Sequence, residues 1–364
     1  MIPIVKPYQP ALSKYQTYLK GIYDRNWLTN NGPLLKELEQ RLAEYLGVQH
    51  LMLVANGTLA LQLAYKALGV GSAGVDKRQV LTTPFTFAAT PGSLMWQGLQ
   101  PQFVDIANNS LNISPELMAQ RMTSDTVAIT AVHVFGNPCE VEQIDTLAKQ
   151  HKLKVIYDAA HAFGCQYKGQ SLLNYGDAAT LSLHATKLFH CVEGGAVVFK
   201  NAGDLARAKQ LINFGFDQDN MPQHIGFNAK MSELHAAMGL AMLDDIDDII
   251  IQRKDIIATY QQHLAGVVDF QTWSAHSENN GAYMPVLFNN EAQLLAVQKT
   301  LTEHGIQSRR YFYPSLNTCA VYENDVSCPV SEHTASRVLC LPLYVGLQKS
   351  QIKHICQLLA QCLR

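Results

Sequence analysis

A chain of 364 residues, 16% charged and 48% hydrophobic, excludes a disordered or fibrous protein and can bury one large core plus a smaller one. Its formal net charge of −2, with no basic block, gives no reason to expect nucleic acid or an anionic membrane as partner. No run approaches the roughly 18 apolar residues of a spanning helix, and Met1-Ile2-Pro3-Ile4-Val5-Lys6-Pro7 lacks the apolar core of a signal peptide, so the expected location is the cytoplasm.

In chain order, residues 1–33 hold several prolines and the segment Asn26-Trp27-Leu28-Thr29-Asn30-Asn31-Gly32-Pro33, whose Asn, Gly and Pro mark a turn. That turn is a plain loop before a helix or a loop that lines a substrate. Leu34 to Leu46 reads as a helix with Leu34, Leu35, Leu38, Leu42 and Leu46 on one face. From Leu51 the pattern alternates. Strands are expected at Leu51–Ala55, Val80–Thr83, Gln102–Val104, Val127–Val134, Leu153–Tyr157, Ala178–Leu183 and Ala196–Phe199, with helices at Leu59–Leu68 and up to Trp96. Such alternation implies a mostly parallel sheet with helices on both faces, and functional groups at strand ends.

Asn56-Gly57-Thr58 falls where a strand hands over to a helix, so it suits either a phosphate or a simple cap by Thr58. The Walker glycine signature is missing. Asp158 ends an apolar strand, where a carboxylate needs a partner: it caps the chain from Ala159 onward or pairs with a buried cation, of which a pyridinium nitrogen is one. Residues 201–216 read as helical, and Ser232 caps a long helix from Glu233 towards His263. Asp244, Asp245, Asp247 and Asp248 on that helix read as a solvated face. Beyond it come a strand at Ala282–Phe288, a helix at Glu291–His304 and a final helix at Gln351–Leu363. Arg309 and Arg310 suit a substrate phosphate or a surface ion pair. The eight cysteines lie in apolar segments such as Leu339-Cys340-Leu341, with neither Cys-x-x-Cys nor zinc spacing, so no metal is expected.

The chain is organised around residues 177–200. An apolar strand runs into a polar turn holding Lys187, and Gly194-Gly195 opens a second apolar strand. Desolvation disfavours an ammonium and frees the amine to attack a carbonyl; the alternative is a lysine whose stem is buried and whose head reaches water.

Together the motifs resemble the DegT/DnrJ/EryC1/StrS family of sugar aminotransferases across nearly the whole chain. They stand in family order: Trp27-x-Thr29-x-x-Gly32-Pro33, Asn56-Gly57-Thr58, Pro84-Phe85-Thr86-Phe87-x-Ala89-Thr90, Asp158-Ala159-Ala160-His161, Ser182-x-His184-x-Thr186-Lys187, Glu193-Gly194-Gly195 and Gly226-x-Asn228-x-Lys230-Met231-x-Glu233. The resemblance implies pyridoxal 5'-phosphate on the type I, aspartate aminotransferase-like fold. That fold is a large, mostly parallel mixed α/β sheet flanked by helices, plus a smaller C-terminal α/β domain. The expected division is 1–250 for the large cofactor-binding domain and 251–364 for the small one.

By resemblance, Lys187 would carry the cofactor and move the proton, and Asp158 would keep the ring nitrogen protonated. Gly57, Thr58 and Ser182 would hold the phosphate, Phe87 would stack on the ring, and His161 would lie beside it. Asn228 would reach the phosphate in the neighbouring subunit of a homodimer with shared sites. Thr29, Asn30 and Glu193 would lie near the substrate sugar; Arg309 and Arg310, from their own chemistry, and Tyr311 beside them are the further expected substrate residues. Family members commonly have Arg at Lys230 and His at Asn317.

The activity implied is transfer of the amino group of L-glutamate to C4 of a nucleotide-linked 4-keto-6-deoxy sugar for O-antigen or other surface polysaccharide. The segment Trp27–Pro33 resembles the subgroup that makes dTDP-4-amino-4,6-dideoxy-D-glucose. GDP-perosamine formation and C3 amination of a dTDP-3-keto-6-deoxy sugar are the alternatives. Lys187 argues against the related dehydratases, where histidine replaces it, and intact Lys187, Asp158 and Ser182 argue against a non-catalytic regulatory protein.

Overall fold

The strand–helix alternation closes into one sheet. The computed structural model describes residues 1–71, 78–322 and 326–363. It begins with helices α1 (Leu12–Arg25) and α2 (Pro33–Leu46). Strand β1 (His50–Val54) leads into α3 (Gly57–Ala67), β2 (Gln79–Thr82) into α4 (Ala89–Trp96), and β3 (Gln100–Phe103) into α5 (Pro115–Arg121). Then come β4 (Thr126–Val132), α6 (Val141–His151), β5 (Lys154–Asp158) and a small hairpin of β6 (Gln166–Tyr167) and β7 (Gln170–Ser171). Strands β8 (Ala178–Ser182) and β9 (Gly195–Phe199) complete the sheet; α7 (Ala202–Leu211), α8 (Glu233–Leu243) and α9 (Ile246–Leu264) follow. The C-terminal part holds β10 (Pro285–Leu287), α10 (Glu291–Glu303), α11 (Pro329–Arg337), β11 (Val338–Cys340) and α12 (Lys349–Cys362).

The seven-stranded sheet has the order β1-β9-β8-β5-β4-β2-β3. Only β9 runs against its neighbours; the other pairings are parallel. Gly195 pairs with both Val54 and Ser182, and Asp158 pairs with Thr180. This register brings the carboxyl ends of β1, β5 and β8 to one edge, where open α/β sheets bind ligands.

Apolar side chains fill both faces. On one, Leu34, Leu35, Leu38, Leu42 and Leu46 of α2 join Leu53, Ile129, Val155 and Leu181 of the sheet and Leu240 of α8. On the other, Leu61, Ala64 and Tyr65 of α3 pack with Val80, Ile156 and Val197. Truncating such a leucine, for example the fully buried Leu38, costs about 2–5 kcal/mol. Helix α9 serves two clusters: Ile246 and Ile249 belong to the first, while Ile256, Ile257, Tyr260 and Leu264 pack with Val286, Leu339 and Leu359.

Several expectations change in three dimensions. The long helix from Glu233 is two helices, broken at Asp244–Asp245. The acidic group there is not simply solvated. Lys14 reaches Asp245 at 2.6 Å, Arg41 reaches Asp244 at 2.7 Å, and the Tyr45 hydroxyl donates to Asp247 at 2.8 Å. These partners come from α1 and α2, distant in sequence, and no helix was expected at α1. Asn56, not Thr58, caps α3, its side chain accepting from Leu59 N at 2.9 Å. Helix α7 stops at Leu211 rather than 216, and the expected strand 282–288 narrows to 285–287. Ser232 caps α8 as read.

Candidate active site

The site begins at the shared strand edge. Asp158 is the last residue of β5 and is 7% exposed. Its Oδ2 accepts from Thr90 Oγ1 at 2.7 Å and its Oδ1 from Ala160 N at 3.1 Å. Thr90 is itself held by Thr86 at 2.8 Å. Burial raises the proton affinity of Asp158, and the two hydrogen bonds and the Lys187 charge pull it back. No cation forms an ion pair with it among the described residues.

Next to it, β1 ends and α3 begins. The Asn56 side chain satisfies Leu59 N and its carbonyl satisfies Ala60 N, so the Gly57 and Thr58 amides have no partner among the described residues. Ser182, at the end of β8, lies against them: a Cβ on Gly57 would stand 2.9 Å from the Ser182 Cβ. A Cβ on Gly195 would stand 2.4 Å from the Asn56 carbonyl oxygen, so both positions require glycine. Free amides at a helix start with an adjacent hydroxyl make an anion cradle.

Lys187 follows β8 in the loop before β9 and is half-buried. Its Nζ donates to the Tyr283 hydroxyl at 3.2 Å. Burial lowers its proton affinity, Arg309 lowers it further, and Tyr311 and Asp158 oppose the change. The amine is thereby moved towards the neutral, nucleophilic form. His161 is buried; its ring lies 4.3 Å from that of Tyr283 and stacks with Phe312 and Phe135, and its Nδ1 accepts from Phe135 N at 3.2 Å. Burial drives its proton affinity well down, so the ring is neutral.

The expected substrate residues are spread over exposed loops. Thr29 and Asn30 are exposed, the Thr29 carbonyl accepting from Trp27 Nε1 at 2.5 Å, and Asn30 adopts φ 62°. Glu193 is exposed, 3.6 Å from His184 Nε2. Phe87 is 54% exposed. Asn228 is exposed on the strap before α8, and the Ala229 carbonyl accepts from Ala55 N at 2.8 Å. Arg309 stacks on Tyr311 at 4.2 Å. Arg310 is not brought to this group: it pairs with Glu291 at 2.7 Å and donates to the carbonyls of Ala335 and Ser336. Lys230 donates to Asn213 at 3.0 Å. Asn317 is turned inward, accepting from Ser315 at 2.6 Å and donating to Glu332 at 2.7 Å.

Glu233 explains how the 27–33 loop is held. Its fully buried carboxylate accepts from Leu34 N at 3.0 Å and Leu35 N at 2.9 Å, capping α2 from another helix, while its own amide donates to the Leu28 carbonyl at 2.9 Å. Glu233→Gln keeps the shape and removes the charge. It is expected to cost about 1.5–3 kcal/mol, the usual worth of a hydrogen bond to a charged group, in urea unfolding monitored by circular dichroism.

Sequence reading singled out Lys187, Asp158, His161, Ser182 and Gly57, and the fold assembles them. It passed over Tyr283 and Arg253, which stand in or beside an ordinary strand pattern and helix and carry no local signature. Thr90 was visible within a motif but without a role. The donor set fits pyridoxal phosphate: a buried carboxylate lacking a cation, an amine tuned towards neutrality, and amides and a hydroxyl awaiting an anion.

Comparison with known proteins agrees. The profile of the DegT/DnrJ/EryC1/StrS aminotransferase family matches residues 12–360. A dTDP-4-amino-4,6-dideoxy-D-glucose transaminase from Escherichia coli is 37% identical over 371 residues, covering 98% of this chain and 98% of the relative. One of the same description from Shigella dysenteriae is 38% identical over 359 residues, covering 97% and 96%. The crystal structure of DesI in the presence of its TDP-sugar product superposes with a TM-score of 0.93 at 36% identity, over 99% of this chain and 92% of that one.

Proposed function

This chain belongs to the DegT/DnrJ/EryC1/StrS aminotransferase family, and we propose that it moves the amino group of L-glutamate to C4 of dTDP-4-keto-6-deoxy-D-glucose. The products are dTDP-4-amino-4,6-dideoxy-D-glucose and 2-oxoglutarate, the former serving O-antigen or another surface polysaccharide. The observation that carries the substrate choice is likeness along almost the full length to two relatives described by that activity. The family is pyridoxal phosphate-dependent.

Bound, pyridoxal phosphate supplies an aldehyde that condenses with amines and a ring that accepts electrons from a carbon losing its proton. Gly57, Thr58 and Ser182 would bind its phosphate. Asp158 would keep a proton on the ring nitrogen, and that cation would offset the cost of burying its carboxylate. Lys187 would hold the aldehyde carbon, then, once released, take a proton from the donor carbon and return one to the sugar side. Neutral His161 would wall the site beside Phe135, Phe87 would cover the ring, and Thr29, Asn30, Glu193 and Tyr311 would border the sugar.

A homodimer with shared sites is part of this reading. Exposed Leu28, Phe87, Val192, Phe214, Met221 and Ile225 lie on or next to the loops carrying the exposed site residues, where a second copy would cover them and Asn228 would reach its phosphate. We place the protein in the cytoplasm: no helix is long and apolar enough to cross a membrane among the described residues, and all eight cysteines are free, six of them buried. Residues 1–250 would bind the cofactor and 251–364 would form the smaller part.

The test offers glutamate with dTDP-, UDP- and GDP-linked 4-keto-6-deoxy sugars and follows amine formation by mass. Preferred amination of the dTDP compound is expected. Turnover of only the GDP-linked sugar, or only of a 3-keto sugar, would overturn the assignment.

A further inference from the structure

A small cavity opens beside Lys187, walled by Thr186, Arg253, Tyr283, Arg309, Tyr311 and Leu343, with no acidic residue in its lining. Arg253 enters from the middle of α9 and is 6% exposed. It donates to the carbonyls of Gly281 at 2.6 Å, Ala282 at 2.9 Å and Leu343 at 3.0 Å. A guanidinium carries five N–H donors, so those carbonyls leave part of the fork unspent. They also leave its charge uncancelled, since no carboxylate pairs with it among the described residues. Burial pushes the group down to about 10, which still leaves it protonated at neutral pH.

Arg309 stands on the same wall, stacked on Tyr311 and without an ion pair among the described residues. It is close enough to Lys187 to depress that amine's proton affinity. Tyr283 joins the cavity to the reacting group, because its hydroxyl accepts from Lys187 Nζ at 3.2 Å. A buried cation without a counter-ion is costly, and an anion seated beside it offsets that cost. The cavity measures about 40 Å³. A water needs roughly 10–15 Å³, so there is room for one carboxylate group and not for a diphosphate.

We propose that this cavity receives the α-carboxylate of the amino-acid donor, with Arg309 supplying the fork and Arg253 the buried charge behind it. The inference rests on the aminotransferase reading above and adds where its donor is recognised. Substrate chemistry separates the two anions the enzyme must bind. The α-carboxylate is one bond from the carbon that Lys187 deprotonates. The nucleotide's diphosphate leaves the sugar at C1, across the ring from the reacting C4. An anion site sharing Tyr283 with Lys187 suits the first. Arg310, the other arginine expected at a phosphate, is already paired with Glu291.

Arg309→Gln tests this at an exposed position. Loss of a charge-assisted hydrogen bond predicts a rise of at least about tenfold in KM for glutamate, with KM for the nucleotide sugar within about twofold, and Arg309→Lys recovering part of the loss. In the cofactor-free protein, calorimetric titration with 2-oxoglutarate should show at least about tenfold weaker binding to Arg309→Gln than to the wild type. A rise confined to the sugar KM, an equal rise in both, or equal or absent 2-oxoglutarate binding by the two proteins would overturn the assignment. A wild-type protein that aminates none of the sugars would sink the function proposed above, and the calorimetric comparison would still decide the carboxylate site.

Discussion

Lys187→Ala is expected to remove turnover, with a loss of at least about 10³-fold in kcat, because one side chain both captures the cofactor and moves the proton. Proton transfer by a positioned side chain alone contributes about 10²–10⁴-fold. Lys187→Arg should be equally inactive, since a guanidinium keeps its proton and cannot attack a carbonyl. The variant should still bind cofactor non-covalently through the cradle at Gly57, Thr58 and Ser182. Borohydride treatment followed by peptide mass mapping should tag Lys187 in the wild type and nothing in either variant. Turnover within tenfold of wild type would sink the assignment.

Asp158→Asn is expected to separate stability from activity. Burial holds the Asp158 carboxyl above its ordinary value in the cofactor-free protein. An acid with a raised folded-state value contributes most at low pH, and that contribution is lost as pH rises through the folded value. At neutral pH the empty site therefore holds a carboxylate at a cost. The amide removes that cost, and the Thr90 hydroxyl can turn to accept from it. Cofactor-free Asp158→Asn should melt above cofactor-free wild type at pH 7, by about 2–4 °C for each kcal/mol relieved, with the gap closing as pH falls. With cofactor bound the order should reverse, since binding to the folded state stabilises it in proportion to affinity and the variant has lost its partner for the ring nitrogen. Activity should fall about 10²–10³-fold, the usual cost of deleting a preorganised electrostatic contact. Paired thermal melts with and without cofactor at pH 5 and pH 7 check all of this. Unchanged activity would exclude the pyridinium role.

The fold was legible where local chemistry dictates it. Leucine spacing between Leu34 and Leu46 gives one buried stripe and hence α2. Short apolar runs between polar turns give the strands of the sheet, and their expected ends lie within about two residues of the observed ones because a buried strand must stop where the chain turns polar. Asp158 was legible as a strand end and Ser182 only through the family motif, and the register sets both at one edge with Gly57. The acidic run at Asp244–Asp248 was misread because side-chain type cannot show that α1 and α2 bring Lys14 and Arg41 to it.

By itself, then, the amino-acid order named the candidates: one lysine, one carboxylate and one glycine turn stand in motifs that resemble a known family, while the residue types taken alone left a snorkelling lysine and a plain helix cap open. Only the tertiary structure decided the company those groups keep. Tyr283 lies 96 residues from the lysine it touches, and Glu233 lies 199 residues from the helix start at Leu34 that it caps. Arg253 and Arg309 share a cavity wall only because α9 and the C-terminal part pack against the Lys187 loop. Contacts at such separations come from packing elements far apart in the chain, as where α2 and α8 share one hydrophobic cluster and Tyr283 packs on another, and no local pattern of residues encodes them.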